Sequence, residues 1–268
     1  MMELVKAVLF GVVQGVTEWL PISSTGHMIL LDEFLALSFD ESFVNTFFVV
    51  IQAGSILAVV VLYFHRLWPF GAKKKKREKR EIWSLWFHIL AAAIPAGVIG
   101  LLFDEVIDRY LYRSQVVALA LIVYGVLFLL VEKPGKTPKI TGMKELDYRT
   151  ALMIGAFQVL ALIPGTSRSG ATILGAVYLG CSRTVAAEFS FFLAIPVMAG
   201  ASLLKLVKTG FGFGAMEWAA LAVGCLTAFL ISLAAIRFLI GYVRRHDFKA
   251  FGWYRIALGL AVLVYFRY

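Results

Sequence analysis

An apolar helical segment that is interrupted by proline next to a run of hydroxyl residues occurs twice in this chain. Residues 11–30 read GVVQGVTEWLPISSTGHMIL, and residues 155–174 read GAFQVLALIPGTSRSGATIL. One gap aligns the two segments, so that Pro164 stands opposite Pro21. A duplicated, broken apolar segment is typical of binding sites in membrane proteins. The fold is therefore constrained first by these two breaks.

Each break predicts a helical hairpin whose tip exposes backbone N–H groups. Pro21 disfavours helical geometry at the residue before it. The run Ser23, Ser24 and Thr25 favours the N-cap of a helix that begins near Gly26. We expect the second break to form a similar tip.

Composition places the chain in a membrane. Of 268 residues, 60% are hydrophobic and 16% are charged, and the mean hydropathy is +0.83. Many apolar runs approach the roughly 20 residues that span a bilayer. A formal charge of +9 would suggest nucleic-acid binding in a soluble protein, but basic residues of membrane proteins collect in cytoplasmic loops. We therefore expect an all-α polytopic membrane protein that does not bind nucleic acid.

Six further apolar runs predict transmembrane helices, three after each hairpin. They lie near residues 47–64, 83–103, 116–131, 186–206, 218–239 and 253–266. A re-entrant hairpin leaves the chain on the side from which it entered, whereas three spans carry it across. The two halves are therefore predicted to be inverted repeats.

The predicted boundaries follow from these runs. The whole chain, 1–268, forms one membrane domain. Its first repeat covers 1–132, with a hairpin at about 2–36, and its second covers 148–268, with a hairpin at about 148–180. Residues 133–147 are a polar connector on the cytoplasmic side, as their Pro and Gly content indicates.

Charge placement agrees with this topology. If the run 66–80, the connector and the stretch 237–249 are cytoplasmic, that side carries most of the 26 Lys and Arg, as the positive-inside rule expects. The two tips then enter from opposite sides and can meet near mid-membrane. Arg255 is expected to anchor the last span at the cytoplasmic interface, and the tryptophans, Trp19 among them, are expected in interfacial belts.

Two helix N-termini that point at one cavity predict an anion site. Arg168 adds a permanent charge that can hold two oxygens of one phosphate. Ser23, Thr25, Gly26, Ser167, Ser169, Gly170 and Thr172 are the candidate caps and phosphate donors. The alternative for Arg168 is an internal salt bridge with Glu18, which would still line the cavity.

Glu18 and Gln14 lie four residues apart and so share one helical face. A carboxylate and an amide oxygen are ligands suited to Mg²⁺ or Ca²⁺, completed by waters and phosphate oxygens. The alternative is that the two side chains only form hydrogen bonds at a broken helix. Ser24 and His27 are three residues apart, a spacing that permits a nucleophile with its general base, or a hydroxyl that positions phosphate beside a proton carrier.

At these residues the sequence resembles the undecaprenyl-diphosphate phosphatase family, integral membrane enzymes also known as bacitracin-resistance proteins. The E/Q-x-x-x-E motif matches 14–18, the SSTGH run matches 23–27, and the P-G-x-S-R-S-x-x-T motif matches 164–172. The motif begins here with Gln14 rather than Glu, which supplies less charge for a cation.

The resemblance implies hydrolysis of undecaprenyl diphosphate to undecaprenyl phosphate and inorganic phosphate at the outer face of the bacterial inner membrane. It also implies divalent-metal dependence and allows a homodimer. Glu18 and Gln14 would organise metal or water, Ser24 would be the nucleophile, His27 the acid or base, and Arg168 the phosphate clamp. The rival interpretation is a polyprenyl-phosphate flippase or anion transporter, since inverted repeats with broken helices also form transporters.

Overall fold

The computed structural model describes residues 1–111, 113–132 and 137–266, without the side chains of 104–106, 108 and 109. The start of the predicted connector, 133–136, and the last two residues of the second repeat, 267–268, lie outside the described residues. The described chain is helical, with two short 3₁₀ segments and no strand. The prediction of an all-α protein is confirmed.

Eleven α-helices make up most of the described chain. They are α1 Met2–Thr17, α2 Ser24–Leu35, α3 Glu41–Leu62, α4 Phe64–Leu67, α5 Lys76–Leu111, α6 Ser114–Val131, α7 Tyr148–Val159, α8 Arg168–Tyr178, α9 Arg183–Thr209, α10 Ala215–Val243 and α11 Lys249–Tyr265.

Five helices in the described part of the chain are long and apolar enough to cross a membrane. They are α3, α5 as far as Phe103, α6, α9 and α10. The sixth predicted span corresponds to α11, whose 17 residues reach about 26 Å at 1.5 Å per residue. The chain is therefore a multi-pass membrane protein, and the crossing by α11 stays a prediction.

The two predicted hairpins are pairs of helices too short to span the membrane. α1 and α2 contain 16 and 12 residues, and α7 and α8 contain 12 and 11. These lengths are about 16–24 Å, against a hydrocarbon core of about 30 Å. Both hairpins are interrupted where the sequence predicts a break.

The second helix of each hairpin begins with the same strained cap. Ser23 precedes α2 with φ 75° and accepts a hydrogen bond from the backbone N–H of Gly26. Ser167 precedes α8 with φ 72° and accepts one from Gly170. A positive φ costs a non-glycine residue about 1–2 kcal/mol, so surrounding contacts must hold both turns in place.

Four of the main helix contacts correspond when the two halves are exchanged. α1 packs on α10 as α7 packs on α5, while α3 packs on α9 and α6 packs on α11. These are the pairs that a two-fold relation between the halves would produce. Inversion of the halves across the membrane stays a prediction.

Some helix contacts depend on glycine because two backbones touch. A Cβ added to Gly54 on α3 would lie 2.2 Å from the carbonyl oxygen of Cys225 on α10. One added to Gly155 on α7 would lie 2.2 Å from that of Ala92 on α5. Small residues permit such close helix approach in membranes.

Gly54→Ala should therefore destabilise the protein by about 1–3 kcal/mol or more, since backbone atoms cannot move aside as side chains do. Gly200→Ala on α9 is the matched control, because a Cβ there meets nothing within 4 Å and should stabilise the helix by about 0.5–1 kcal/mol. The measurement is the apparent Tm in detergent. Equal changes in the two variants would contradict this view of the α3–α10 contact.

Candidate active site at the two helix breaks

The carboxylate of Glu18, directly after α1, joins the two predicted motifs. Its Oε1 accepts a hydrogen bond from Arg168 Nη2 at 2.9 Å. Its Oε2 accepts one from Gln14 Nε2 at 3.0 Å and one from Ser24 Oγ at 2.9 Å. Glu18 is buried, with 5% of its surface exposed. Residues 150 positions apart in the chain thus form one cluster.

Arg168 is held on several sides. Besides the salt bridge to Glu18, its Nη1 donates to the carbonyl oxygen of Ser190 on α9 at 2.7 Å. Its guanidinium carbon lies 5.5 Å from the centre of the Trp19 ring, a cation–π contact. Its buried Nε has no hydrogen-bond partner among the described residues. The salt bridge that the sequence left open as an alternative is formed, and one donor of the guanidinium remains free.

Trp19 corrects the prediction of an interfacial tryptophan. It is fully buried and packs edge-on against Phe191, with ring centroids 5.2 Å apart. A tryptophan side chain suits either the membrane interface or the protein interior. Here it lies at the break after α1 and points inward, next to Arg168. There it forms one wall of the cluster.

Ser24 and Arg168 occupy equivalent positions in the two hairpins. Each is the first residue of its helix, α2 or α8, directly after the serine cap. Each directs its polar group to a different oxygen of Glu18. The duplicated break therefore brings a hydroxyl and a cation to one carboxylate.

Two of the predicted phosphate donors, Ser169 and Thr172, form hydrogen bonds that connect parts of the cluster, and phosphate binding by them stays a prediction. Ser169 Oγ donates to the carbonyl oxygen of Glu18 at 2.9 Å, which ties the second hairpin to the first. Thr172 Oγ1 donates to the carbonyl oxygen of Arg168 and pairs with the hydroxyl of Ser190 at 2.7 Å. Both residues are fully buried. Their hydroxyls have protein partners that a phosphate would have to displace.

The remaining candidate donors lie around the caps. The hydroxyls of Ser23 and Ser167 accept from the N–H groups of Gly26 and Gly170, and Ser23 is fully buried. Ser167 and Thr25 are only partly buried. Phosphate binding by these five residues stays a prediction, and Ser167 and Thr25 have the most accessible side chains among them.

His27 does not pair with Ser24 as the spacing suggested. Its Nδ1 lies 2.7 Å from the carbonyl oxygen of Ser23, and its Nε2 lies 2.7 Å from the hydroxyl of Tyr254 on α11. Ser24 donates to Glu18 instead, because the first turn of α2 directs this hydroxyl towards the end of α1. The base beside Ser24 is thus Glu18.

The sequence predicts that Arg255, on α11, anchors the last span at the cytoplasmic interface, and this prediction is wrong. The side chain is fully buried. Its Nη1 donates to the carbonyl oxygen of Pro21 at 3.2 Å, and its Nη2 donates to those of Gly165 and Thr166 at 2.9 Å each. Its guanidinium lies 5.5 Å from the centre of the Tyr124 ring. Arg255 therefore holds both breaks together through their backbones.

The residues present do not form a resident divalent-cation site. Glu18 already accepts three hydrogen bonds, and Gln14 presents its amide nitrogen to it. Over the described ranges no group of three or more His, Cys, Asp or Glu comes together. Mg²⁺ and Ca²⁺ take six or more oxygen ligands, so this donor set does not fit either ion by itself.

Arg255→Met should lower the stability of the protein by several kcal/mol, because it removes three hydrogen bonds from a cation, each worth about 1.5–3 kcal/mol. Arg255→Lys should also destabilise, since an ammonium lacks the planar fork. Arg245→Met, at an exposed arginine beyond α10, should change stability by less than about 0.5 kcal/mol. The measurement is the apparent Tm of each variant. Equal values for Arg255→Met and Arg245→Met would contradict the view that Arg255 holds both breaks together.

Comparison with known proteins gives a consistent family. A family model described as bacitracin resistance protein BacA matches residues 7–261. The chain is 58% identical to undecaprenyl-diphosphatase 1 of Clostridioides difficile, over 99% of this chain and 97% of that one. It is 58% identical to the undecaprenyl-diphosphatase of Acetivibrio thermocellus, over 99% and 98%, and 53% identical to that of Enterococcus faecalis, over 98% and 97%. The chain belongs to the bacitracin resistance protein BacA family.

Proposed function

We propose that this protein is a membrane phosphatase that hydrolyses undecaprenyl diphosphate to undecaprenyl phosphate and inorganic phosphate. The family and the names of relatives that match nearly the whole chain support this activity. The observation that carries it is the cluster in which Glu18 receives both the hydroxyl of Ser24 and the guanidinium of Arg168. The reaction recycles the lipid carrier of cell-wall synthesis, and this recycling is how the protein confers bacitracin resistance.

Ser24 is the proposed nucleophile and Glu18 its general base. Ser24 Oγ already donates to Glu18 Oε2 at 2.9 Å, a geometry suited to proton transfer. As Oγ attacks the terminal phosphorus, its proton passes to the carboxylate and the bond to the lipid phosphate oxygen breaks. In the second step water attacks the phosphoserine and gives a proton to His27. The bond between Ser24 Oγ and phosphorus breaks, the proton on Glu18 returns to Oγ, and inorganic phosphate leaves.

Proton transfer to Glu18 also changes what Arg168 can do. While Glu18 is charged, it occupies the anion position beside the guanidinium. When it becomes a neutral acid, Arg168 loses its internal counter-ion at the moment when negative charge builds on the phosphorus oxygens. The free Nε and the released Nη2 then stabilise the transition state electrostatically.

The proposal also includes the membrane location, the topology, the oligomeric state and the cation that a lipid diphosphate substrate implies. The protein lies in the bacterial inner membrane as two inverted repeats. Its site opens to the periplasmic face, and the prenyl tail of the substrate lies between helices. It acts as a homodimer, and nucleic acid has no part in its function. A divalent cation, Mg²⁺ or Ca²⁺, would enter bound to the diphosphate, because the described residues bring together no group of three or more His, Cys, Asp or Glu.

Ser24→Ala should lower phosphate release from undecaprenyl diphosphate in detergent by at least about 10³-fold, as expected when a nucleophile is lost. Ser84→Ala, at an exposed serine of α5, should retain wild-type activity. Trapping the labelled phosphoserine on Ser24 by rapid acid quench would identify the intermediate. Substantial turnover by Ser24→Ala would show that water attacks directly. Absence of phosphate release by the wild-type protein would refute the proposed function.

A further inference from the structure

The environment of His27 assigns different roles to its two ring nitrogens. Nδ1 lies 2.7 Å from the carbonyl oxygen of Ser23. A carbonyl oxygen only accepts hydrogen bonds, so Nδ1 must carry a proton. In the neutral imidazole, Nε2 is then the basic nitrogen, and it accepts the hydrogen bond from the hydroxyl of Tyr254 at 2.7 Å.

The rings of the two hydrogen-bonded side chains are parallel. The rings of His27 and Tyr254 are parallel within 1°, and their centroids are 5.6 Å apart. With the Tyr254 hydroxyl bonded to Nε2 and the Ser23 carbonyl bonded to Nδ1, the imidazole can neither turn over nor exchange its nitrogens without losing a partner at each end. Ser23 and Tyr254 therefore fix one orientation and one tautomer.

The position of Tyr254 is itself fixed by its neighbour. Arg255 is fully buried and donates to the backbone of both breaks, so α11 cannot shift relative to the hairpin tips. Tyr254 is 46% exposed. One end of its ring thus reaches His27 while the rest lies at the edge of the protein.

We propose that Tyr254 is a positioning residue that holds His27 in the Nδ1–H tautomer and keeps its basic nitrogen aligned during proton transfer. The Tyr254 hydroxyl occupies the lone pair of Nε2, so a proton reaches Nε2 through that hydroxyl, which gives its own proton to Nε2 and takes one from the reacting water. The same hydroxyl can donate to neutral imidazole and accept from imidazolium, so the contact survives both protonation states. Carbonyl and hydroxyl partners of this kind commonly set the tautomer of a working histidine. The inference rests on the proposed phosphatase function, in which His27 moves a proton.

The kinetic test compares Tyr254→Phe with Tyr265→Phe in the full-length protein in detergent. Tyr265 is a matched control because it lies on the same helix, is 45% exposed and contacts the rings of Phe34 and Phe266. Tyr254→Phe should lower kcat about tenfold or more, as expected for loss of one hydrogen bond to a charged group. KM should change less than about twofold, since substrate binding is untouched. A wild-type kcat for Tyr254→Phe, or an equal loss in Tyr265→Phe, would overturn the inference.

A second comparison asks whether Tyr254 acts through His27. In a His27→Ala background, adding Tyr254→Phe should change the residual kcat less than about twofold, because the partner is gone. The same tenfold loss in that background would show that Tyr254 acts independently and would overturn the inference. If the wild-type protein released no phosphate, the proposed function itself would fail.

A third measurement does not depend on activity. The protein contains four histidines, so ¹⁵N NMR of ring-labelled protein can be assigned by comparison with His27→Ala. Wild-type His27 should show a protonated Nδ1 and an unprotonated Nε2, and Tyr254→Phe should shift the Nε2 resonance, because that nitrogen loses the hydrogen bond it accepts. Unchanged ring shifts in Tyr254→Phe would contradict the positioning role.

Discussion

The buried salt bridge between Glu18 and Arg168 is the constraint on which the rest of this structure depends. Removing two charges from water is costly, and removing one partner of such a pair leaves the other uncompensated. Inside a membrane this penalty is particularly severe. The two hairpin tips must therefore stay together, and the contacts of Trp19 and Ser190 with Arg168 keep the guanidinium in one place.

Around this pair, side chains form hydrogen bonds to backbone carbonyl groups of the two breaks. Ser169 bonds to the carbonyl of Glu18, and Arg255 bonds to carbonyls of both breaks. These contacts satisfy backbone groups that a broken helix leaves open, which is required at membrane depth. They also stabilise the positive φ of Ser23 and Ser167. The equivalent positions of Ser24 and Arg168 suggest how one duplicated break acquired two chemical roles.

The sequence predicted the features of the site that depend on neighbouring residues, namely the helix breaks, the caps and the side chains that share a helical face. Proline, hydroxyl caps and helical spacing predicted both breaks and the shared face of Gln14 and Glu18. The salt bridge of Arg168 with Glu18 is one of the two alternatives that the sequence offers for that residue. Span positions followed from hydropathy, and the predicted segments fall on α3, α5, α6, α9, α10 and α11. The breaks and the shared face depend on residues within one or two helical turns of each other, and the spans depend on continuous apolar runs of about 20 residues.

The remaining parts of the site depend on long-range packing. Arg255 contacts residues 89, 90 and 234 positions away, and its place near a span end favoured an interfacial anchor. Tyr254 carries no motif at all, so its contact with His27 could not be predicted. Spacing also favoured a Ser24–His27 pair. In the first turn of α2, however, the hydroxyl of Ser24 donates a hydrogen bond to the carboxylate of Glu18. The side chains of Arg255 and Tyr254 on α11 reach both breaks and His27 only in the folded chain.

The most direct measurement of the central claim is an experimental structure of the protein with inorganic phosphate or vanadate bound. We predict that the anion lies between the two helix breaks, with Arg168 and Ser24 in contact with it and Glu18 still beside Ser24. An anion bound elsewhere, with Arg168 and Glu18 on separate surfaces, would contradict the proposed site.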